Sequence, residues 1–201
     1  MVVRHWMTPS VVTIAKGASV QEALAKMRQH SIRHLPVIDD HYQLLGWLSD
    51  SVLRGALVPS MLEELTVADV MIHEPYTASP EMALEEVTKL ILDRRVGGLP
   101  VVEKGKLIGV ITTVDLLSAF ITMMGVLTSS ARLDIRLPTQ SDALDQITRL
   151  IQNRNAEILS ICHVPFTKNE DRVYSIRISN CDVESMAQIL TEHGFDVIAS
   201  S

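Results

Sequence analysis

Along the first 125 residues, segments with hydrophobic residues at helical spacing are followed by short apolar runs, and this whole pattern occurs twice. Apolar residues at helical spacing predict an amphipathic helix over 19–30 and another over 81–93. Two short apolar runs follow each helix, with a polar turn between them, which is typical of two strands joined by a hairpin. The sequence thus predicts strands at 35–38, 44–48, 99–102 and 107–111, and closing helices at 50–57 and 113–124.

The two passages are copies of one unit. Met7-Thr8-Pro9 and Met71-Ile72-His73 open them, and Leu35-Pro36-Val37 recurs 64 residues later as Leu99-Pro100-Val101. With the extended pieces 11–15 and 75–79, each copy has the order β-α-β-β-α. Each unit alone would leave one face of its sheet exposed. The two units are therefore predicted to pack sheet to sheet around a pseudo-twofold axis.

The most informative residues of the repeat are Thr112 and Asp115, where the last apolar strand turns into a helix. Thr112 stands at an N-cap position, and Asp115 follows three residues later. This pair could be a capping box that serves only the helix. Alternatively, the carboxylate could accept hydrogen bonds from two sugar hydroxyls, while the helix start tolerates a nearby phosphate.

Charge, apolar runs and cysteine spacing argue against several classes of function. The chain has 201 residues and a net charge of −6 without a basic patch, which argues against a nucleic-acid partner. No apolar run is long enough to span a membrane and no signal peptide is visible, so a cytoplasmic location and no membrane partner are expected. Cys162 and Cys181 are not part of a CxxC pattern and are expected to be reduced thiols, although they could also form a disulfide, for which the sequence offers no support.

Several short motifs recur in the two copies. The first copy contains Met7-Thr8-Pro9, His34-Leu35-Pro36-Val37 and Gly46-Trp47-Leu48-Ser49, and the second contains Met71, Gly98-Leu99-Pro100-Val101 and Gly109-Val110-Ile111-Thr112-Thr113-Val114-Asp115. With these motifs the copies resemble CBS motifs, and residues 1–125 resemble a tandem pair, or Bateman module, with copies at 1–60 and 61–125. The resemblance implies that adenine nucleotides (AMP, ADP or ATP) or S-adenosylmethionine bind in clefts between the motifs.

The resemblance also implies roles for individual residues. Asp115 would hold the ribose, and Thr112 would help at the phosphate. The adenine pocket would be formed by Tyr76, Thr77, Ala78, Val96, Gly97, Gly98, Leu99 and Pro100. The glycine pair could let a flat ring approach the backbone, or could merely make a tight turn.

Four basic residues are candidate phosphate ligands, because guanidinium groups suit phosphate geometry. Arg94 and Arg95 could also be solvated cations at a helix C-terminus. Arg33 and His34 could reach a phosphate across the pseudo-twofold axis or block the first cleft.

The copies differ at the residue that matters most. The first copy keeps Ser49, but Val52 stands where the second copy has Asp115. Placing ribose hydroxyls against a valine would cost about 1–3 kcal/mol. One good site on the second copy is therefore expected, although both sites could be relics in a module that only dimerises.

After a linker at 126–130, residues 131–201 show a different order, β-α-β-β-α-β, which is the ferredoxin-like arrangement. The expected fold class is therefore α+β. This part resembles an ACT domain, whose edges commonly pair across subunits, so a homodimer is expected. Gln140-Ser141-Asp142 replaces the usual ligand-loop glycine, which argues against amino-acid binding. The complete order resembles acetoin-utilisation proteins of the AcuB type.

These features favour a non-catalytic regulatory protein that senses an adenine nucleotide and signals to a protein partner. The main alternative is an unliganded dimeric scaffold. No P-loop or nucleophile–base pair is visible, so neither an enzyme nor a catalytic cofactor is expected. His30 and His34 are four residues apart, but Pro36 ends the helix too early for a metal pair, and no metal is expected.

Overall fold

The computed structural model describes residues 1–55, 65–137, 142–164, 172–179 and 181–201. The chain forms two compact units, Met1–Leu117 and Ser118–Ser201. Three sequence predictions lie outside the described residues: the boundary between the copies at 60/61, the last two residues of the helix predicted at 50–57, and the loop position of Gln140 and Ser141.

The first unit contains the first copy and the second copy as far as Leu117, within its last helix. The predicted helices and strands are present in the predicted order, except that 75–79 forms only an isolated bridge between Ala78 and Val101. Four short elements that the sequence did not predict precede or join them, at Val3–His5, Thr8–Pro9, Val67–Val70 and Ile72–His73. The first copy contains a 3-10 helix Val3–His5, β1 Thr8–Pro9, β2 Ile14–Ala15, α1 Val20–Gln29, β3 His34–Ile38, β4 Leu44–Ser49 and α2 Asp50–Gly55. The second contains α3 Val67–Val70, β5 Ile72–His73, α4 Leu84–Arg94, β6 Gly98–Glu103, β7 Lys106–Thr112 and α5 Thr113–Met123.

The two copies exchange their leading strands. β1 pairs antiparallel with β7 of the second copy, Thr8 opposite Val110, and completes the sheet β1-β7-β6. In return, β5 pairs with β4 of the first copy, Trp47 opposite Ile72, in the sheet β2-β3-β4-β5. Each sheet therefore contains backbone from both copies, and these strand pairs fix the position of one copy relative to the other.

Each copy places its amphipathic helix on its own sheet. The Ser19 hydroxyl accepts a hydrogen bond from the Glu22 backbone N–H and so caps α1. The helix then buries every third or fourth residue against the strands. The buried core on the first copy's sheet contains Ile14, Val20, Ala23, Met27, Leu35, Val37, Leu48 and Leu53, together with Val67 of α3 from the second copy.

The second unit is a four-stranded antiparallel sheet in the order β11-β8-β10-β9. Two helices cover its core, in which Leu133, Ile147 and Ile176 are fully buried. The element order and strand order are those of the predicted ferredoxin-like arrangement. Its elements are β8 Ala131–Leu137, α6 Ala143–Gln152, β9 Glu157–Val164, β10 Arg172–Ser179, α7 Val183–Glu192 and β11 Asp196–Ser200.

Among the described helices, none combines the length and the apolarity that crossing a membrane requires. Cys162 and Cys181 are both free thiols.

Candidate functional site

Thr112 and Asp115 form a capping box at the junction of β7 and α5. The Asp115 Oδ2 atom accepts hydrogen bonds from the Thr112 backbone N–H (2.7 Å) and from the Thr112 hydroxyl (2.6 Å). In return, the Asp115 N–H lies 3.4 Å from Thr112 Oγ1. The predicted capping box is therefore present, and the pair stabilises the first turn of α5.

The capping box leaves the second carboxylate oxygen of Asp115, Oδ1, available to accept hydrogen bonds from a ligand. Both hydrogen bonds from Thr112 end on Oδ2, and no other group in the described part of the chain donates to Oδ1. Asp115 is half-buried, and its Oδ1 atom is not among the fully buried polar atoms without a partner in the described residues, so this oxygen retains access to solvent while Thr112 holds the carboxylate in place. The Thr112 proton already points at the carboxylate, which makes Asp115 the better placed of the two to accept hydrogen bonds from a ligand's hydroxyl groups.

The segment before α4 lies beside the same sheet. Ala78 N–H donates to the Pro100 carbonyl at 3.0 Å, and Val102 N–H donates to the Ala78 carbonyl at 2.9 Å. Ala78, Leu99 and Pro100 are buried there, whereas Tyr76 and Thr77 are exposed and Val96 is half-buried. Because Gly98 pairs with Thr112 across β6 and β7, the structure brings the predicted adenine segments and the capping box to one sheet.

Positions 97 and 98 leave no room for a side chain, because other protein atoms occupy the space that a Cβ would take. A Cβ on Gly98 would lie 3.0 Å from the Ile111 carbonyl oxygen, and a Cβ on Gly97 would lie 2.9 Å from His34 Nε2. Neither is among the described glycines with positive φ, so the pair does not make a left-handed turn. Close packing of β6 on β7 and on His34 therefore explains both glycines.

The two arginines that end α4 have different environments. The Arg94 guanidinium carbon lies 4.8 Å from the centre of the Tyr76 ring, a cation–π contact that holds it near the predicted adenine segment. Arg95 adopts a left-handed conformation (φ 52°) at the C-cap, and its N–H bonds back to α4. Both side chains are exposed.

His34 brings a side chain of the first copy to the second. Its ring stacks on buried Trp47, with centroids 5.3 Å apart and planes at 22°, and its Nε2 faces Gly97. Burial, together with the positive charge of Arg33, lowers the pKa of His34 below its ordinary value. Arg33 itself is exposed, and its carbonyl accepts the Asp50 N–H.

The equivalent corner of the first copy has no carboxylate in the Asp115 position. Ser49 Oγ accepts the Val52 N–H at 3.3 Å, so half of the capping box remains. Asp50 is close by, but its carboxylate pairs with Arg54 at 2.6 Å and points along α2. The corner of the first copy therefore lacks the carboxylate acceptor that Asp115 provides in the second.

Sequence reasoning missed two features of this unit. Trp47 supports His34, a relationship between neighbouring strands that only their register reveals. A cavity of about 300 Å³ lies at the opposite end of β7 from Thr112, and it is lined by Ser10, Val11, Thr13, Tyr42, Leu107 and Ile108.

The histidine pair considered for a metal does not form one. α1 ends at Gln29, and His30 is its C-cap, whereas His34 lies in β3. Among the described residues, no group of three His, Cys, Asp or Glu side chains could hold a metal ion.

Comparison with known proteins places both copies in one family. Residues 3–59 and 67–122 match the CBS domain. CBSX2 from Arabidopsis thaliana, solved in complex with AMP, is 30% identical with a TM-score of 0.54, and the match covers 60% of this chain and 96% of that one.

Two further solved structures are similar. A CBS domain pair in complex with 5′-methylthioadenosine and S-adenosyl-L-methionine is 24% identical (TM-score 0.55; 60% of this chain, 95% of that one) and shares the fold. AcuB from Vibrio cholerae, described as an acetoin utilization protein, is 28% identical (TM-score 0.57; 63% and 94%). Two of these three proteins were thus solved with adenosine compounds bound, CBSX2 with AMP and the other CBS pair with 5′-methylthioadenosine and S-adenosyl-L-methionine.

Proposed function

Because this chain belongs to the CBS domain family, we propose that it is a non-catalytic regulatory protein whose second copy binds an adenine nucleotide (AMP, ADP or ATP) or S-adenosylmethionine. The ligand would lie at the edge of the β1-β7-β6 sheet, between Tyr76–Ala78 and the start of α5. The complex of CBSX2 with AMP supports this ligand class.

The observation that carries the proposal is the state of the Asp115 carboxylate. One oxygen is held by two short hydrogen bonds from Thr112, and the other has no protein donor in the described residues. A carboxylate fixed in this way can accept a hydrogen bond from a ribose hydroxyl without losing its own support. In this role Asp115 binds the sugar, and Thr112 orients Asp115.

The base and the phosphate would extend from that sugar in two directions. Backbone groups beside Ala78 and Leu99 are close enough in the sheet to border an adenine ring, while the exposed Tyr76 and Thr77 would form its outer wall. Arg94 lies beside Tyr76, and His34 reaches Gly97 from the first copy. These two, with the exposed Arg33 and Arg95, are the proposed phosphate ligands.

One site per chain follows from the asymmetry of the copies. Val52 offers no acceptor to a ribose, and Asp50 is engaged by Arg54. Burying sugar hydroxyls against Val52 leaves them unpaired, at a cost of about 1–3 kcal/mol. The first copy would instead supply His34 to the site of the second.

Signalling to a partner and a role in acetoin utilisation are the finer parts of the proposal. The second unit, with the element order of an ACT domain, is the proposed route by which ligand binding is communicated. The similarity to Vibrio cholerae AcuB supports the metabolic setting. The alternative is a scaffold in which both clefts stay empty.

A thermal-shift panel separates these two functions. AMP, ADP, ATP and S-adenosylmethionine are each added at millimolar concentration to the full chain, with inorganic phosphate and uridine monophosphate as controls. A ligand that binds only the folded state raises the melting temperature by mass action. The proposal expects a rise with at least one adenine ligand and none with the controls. A flat panel would favour the scaffold.

A further inference from the structure

Arg33 and His34 stand where the second copy has two glycines. In the repeat, Arg33 matches Gly97 and His34 matches Gly98. His34 is the first residue of β3, and Gly98 is the first residue of β6. The first copy therefore brings a cation and an ionisable ring to the contact between the copies, whereas the second copy offers only backbone there.

The His34 ring lies in the contact between the two copies. It stacks on Trp47, with centroids 5.3 Å apart and planes at 22°. Its Nε2 lies 2.9 Å from the place that a Cβ on Gly97 would take, so the ring fits there because Gly97 has no side chain. The Gly97 carbonyl in turn accepts the backbone N–H of Thr113, the first residue of α5, at 3.1 Å. A single residue thus connects the ring with the helix that starts at the candidate site.

The ring nitrogens of His34 can take up a proton. No hydrogen bond within the described residues engages either nitrogen, and neither is among the fully buried polar atoms without a partner. Water therefore reaches the ring, although His34 is half-buried. A histidine with access to solvent and no fixed partner changes its charge when its electrostatic surroundings change.

The charged and titratable side chains on the elements around the ring are mostly basic. They are Arg28 and His30 at the end of α1, Arg33 beside the ring, Asp50 on α2, His73 on β5, Arg94 and Arg95 at the end of α4, and Asp115 on α5. Glu103 and Lys106 lie at the far ends of β6 and β7. Arg54 engages Asp50 at 2.6 Å, whereas the four arginines of this set form no ion pair in the described part of the chain.

Two effects keep the His34 ring neutral when no ligand is bound. Burial and, secondarily, the positive charge of Arg33 lower the pKa of His34 below its ordinary value of 6.5. Near neutral pH the ligand-free chain therefore carries an uncharged imidazole at this place. An anion that arrives beside Arg33 offsets the second effect and favours the imidazolium.

We propose that His34 couples the binding of a phosphate-bearing adenine nucleotide to the uptake of a proton, so that the second-copy site binds such a ligand more tightly in mild acid than at neutral pH. This inference rests on the proposed function, which places the phosphate near Arg33 and His34. The proton comes from water or buffer and binds a ring nitrogen, and no covalent bond to the ligand forms. The site thereby responds to two signals, the nucleotide and the pH.

The direction of the effect follows from linkage. A ligand that raises the proton affinity of His34 is itself bound more tightly when His34 is protonated, by the same factor. The gain in affinity appears as the pH falls through the window between the pKa of His34 in the free chain, below 6.5, and the higher pKa in the complex. Adenosine lacks the phosphate and S-adenosylmethionine carries a sulfonium cation, so neither should show the gain.

The test is calorimetric titration of AMP and adenosine into the full chain at about pH 7.5 and about pH 6. Each titration is run in two buffers of different ionisation enthalpy, and the difference in observed heat gives the protons taken up per bound ligand. The proteins are the wild type, His34→Gln and the control His30→Gln, whose exposed side chain lies at the end of α1. Comparison with His34→Gln also separates the titration of the AMP phosphate from that of the protein.

The expected result is a wild-type affinity for AMP that rises about three- to tenfold relative to His34→Gln between the two pH values, with additional proton uptake. His30→Gln should follow the wild type, and adenosine should show no gain. Equal pH dependence and proton uptake in the wild type and His34→Gln, an equal effect of His30→Gln, or the same gain with adenosine would overturn the inference and leave the nucleotide site in place. If neither ligand binds to any of the proteins, the proposed function fails and this inference fails with it.

A second measurement covers the case in which His34→Gln does not fold, which circular dichroism detects. The ring protons of the seven histidines are followed by NMR from about pH 5 to about pH 8, in the wild type with and without AMP. The expected result is one ring whose pKa lies below 6.5 without AMP and rises when AMP is bound. A low-pKa ring that does not respond to bound AMP would overturn the inference.

Discussion

Asp115 accepts two hydrogen bonds from Thr112 on a single oxygen, at 2.7 and 2.6 Å. The same geometry occurs at the start of α3, where Asp69 Oδ2 accepts the Thr66 N–H at 2.8 Å and the Thr66 hydroxyl at 2.6 Å. The described residues thus contain two capping boxes with the same hydrogen-bond pattern, of which one lies at the candidate site. Asp69 is therefore a matched control for every experiment on Asp115.

Both capping boxes should stabilise the fold. Asp115→Ala removes both hydrogen bonds on Oδ2 and is expected to lower the free energy of unfolding by about 1 kcal/mol. Asp69→Ala should act in the same direction. Urea denaturation of the two variants measures this directly. An Asp115→Ala variant as stable as the wild type would mean that the box has no structural role.

The two adjacent glycines should differ in their tolerance to a methyl group. At Gly98 the added Cβ meets the Ile111 carbonyl oxygen, which cannot move without disturbing β7. Gly98→Ala is expected to destabilise the fold by about 1–3 kcal/mol. At Gly97 the Cβ meets only the His34 ring, so His34→Ala should rescue Gly97→Ala in a double-mutant cycle. Purely additive losses would contradict the contact.

Stability should depend on pH through His34. Its pKa is lowered because burial and, secondarily, the charge of Arg33 disfavour the imidazolium. Between that lowered pKa and the ordinary 6.5, the unfolded chain binds more protons than the folded chain, so the free energy of unfolding decreases as the pH falls through this window. His34→Gln should reduce the slope. The control His30→Gln, at the exposed end of α1, should keep it. Equal slopes for all three proteins would contradict the assignment.

A second site should appear when the missing carboxylate is restored. Val52→Asp places an acid three residues after Ser49, where the Val52 N–H already contacts the Ser49 hydroxyl. Titration with AMP is expected to change from one equivalent per chain to two, the second weaker. A stoichiometry that stays at one would show that the first cleft is closed by something other than Val52.

Local elements were predictable because they depend on nearby residues. The spacing of Val20, Ala23 and Met27 predicted a helix over 19–30, and the structure has Val20–Gln29. The strand before Thr112 and the helix after it also follow the prediction. In each case side-chain periodicity and a capping residue determine the element within a few residues of sequence.

Contacts between the copies could not be predicted in the same way. The opening segment of each copy completes the sheet of the other, and Arg4 pairs with Glu81 and Glu103 of the second copy. No local pattern encodes that exchange, because it depends on the packing of two distant units. The contact of His34 with Gly97 has the same origin, so the sequence alone indicates only a ligand or a turn at the glycine pair.

Calorimetric titration of AMP into the wild type, Asp115→Ala and Asp69→Ala tests the central claim most directly. Both variants lose the same pair of capping hydrogen bonds, so any difference between them reports on the ligand. The account predicts one site per chain in the wild type, an affinity at least about tenfold lower in Asp115→Ala, and wild-type affinity in Asp69→Ala. Binding that is unchanged in Asp115→Ala, or lost equally in both variants, would contradict a nucleotide site on the second copy.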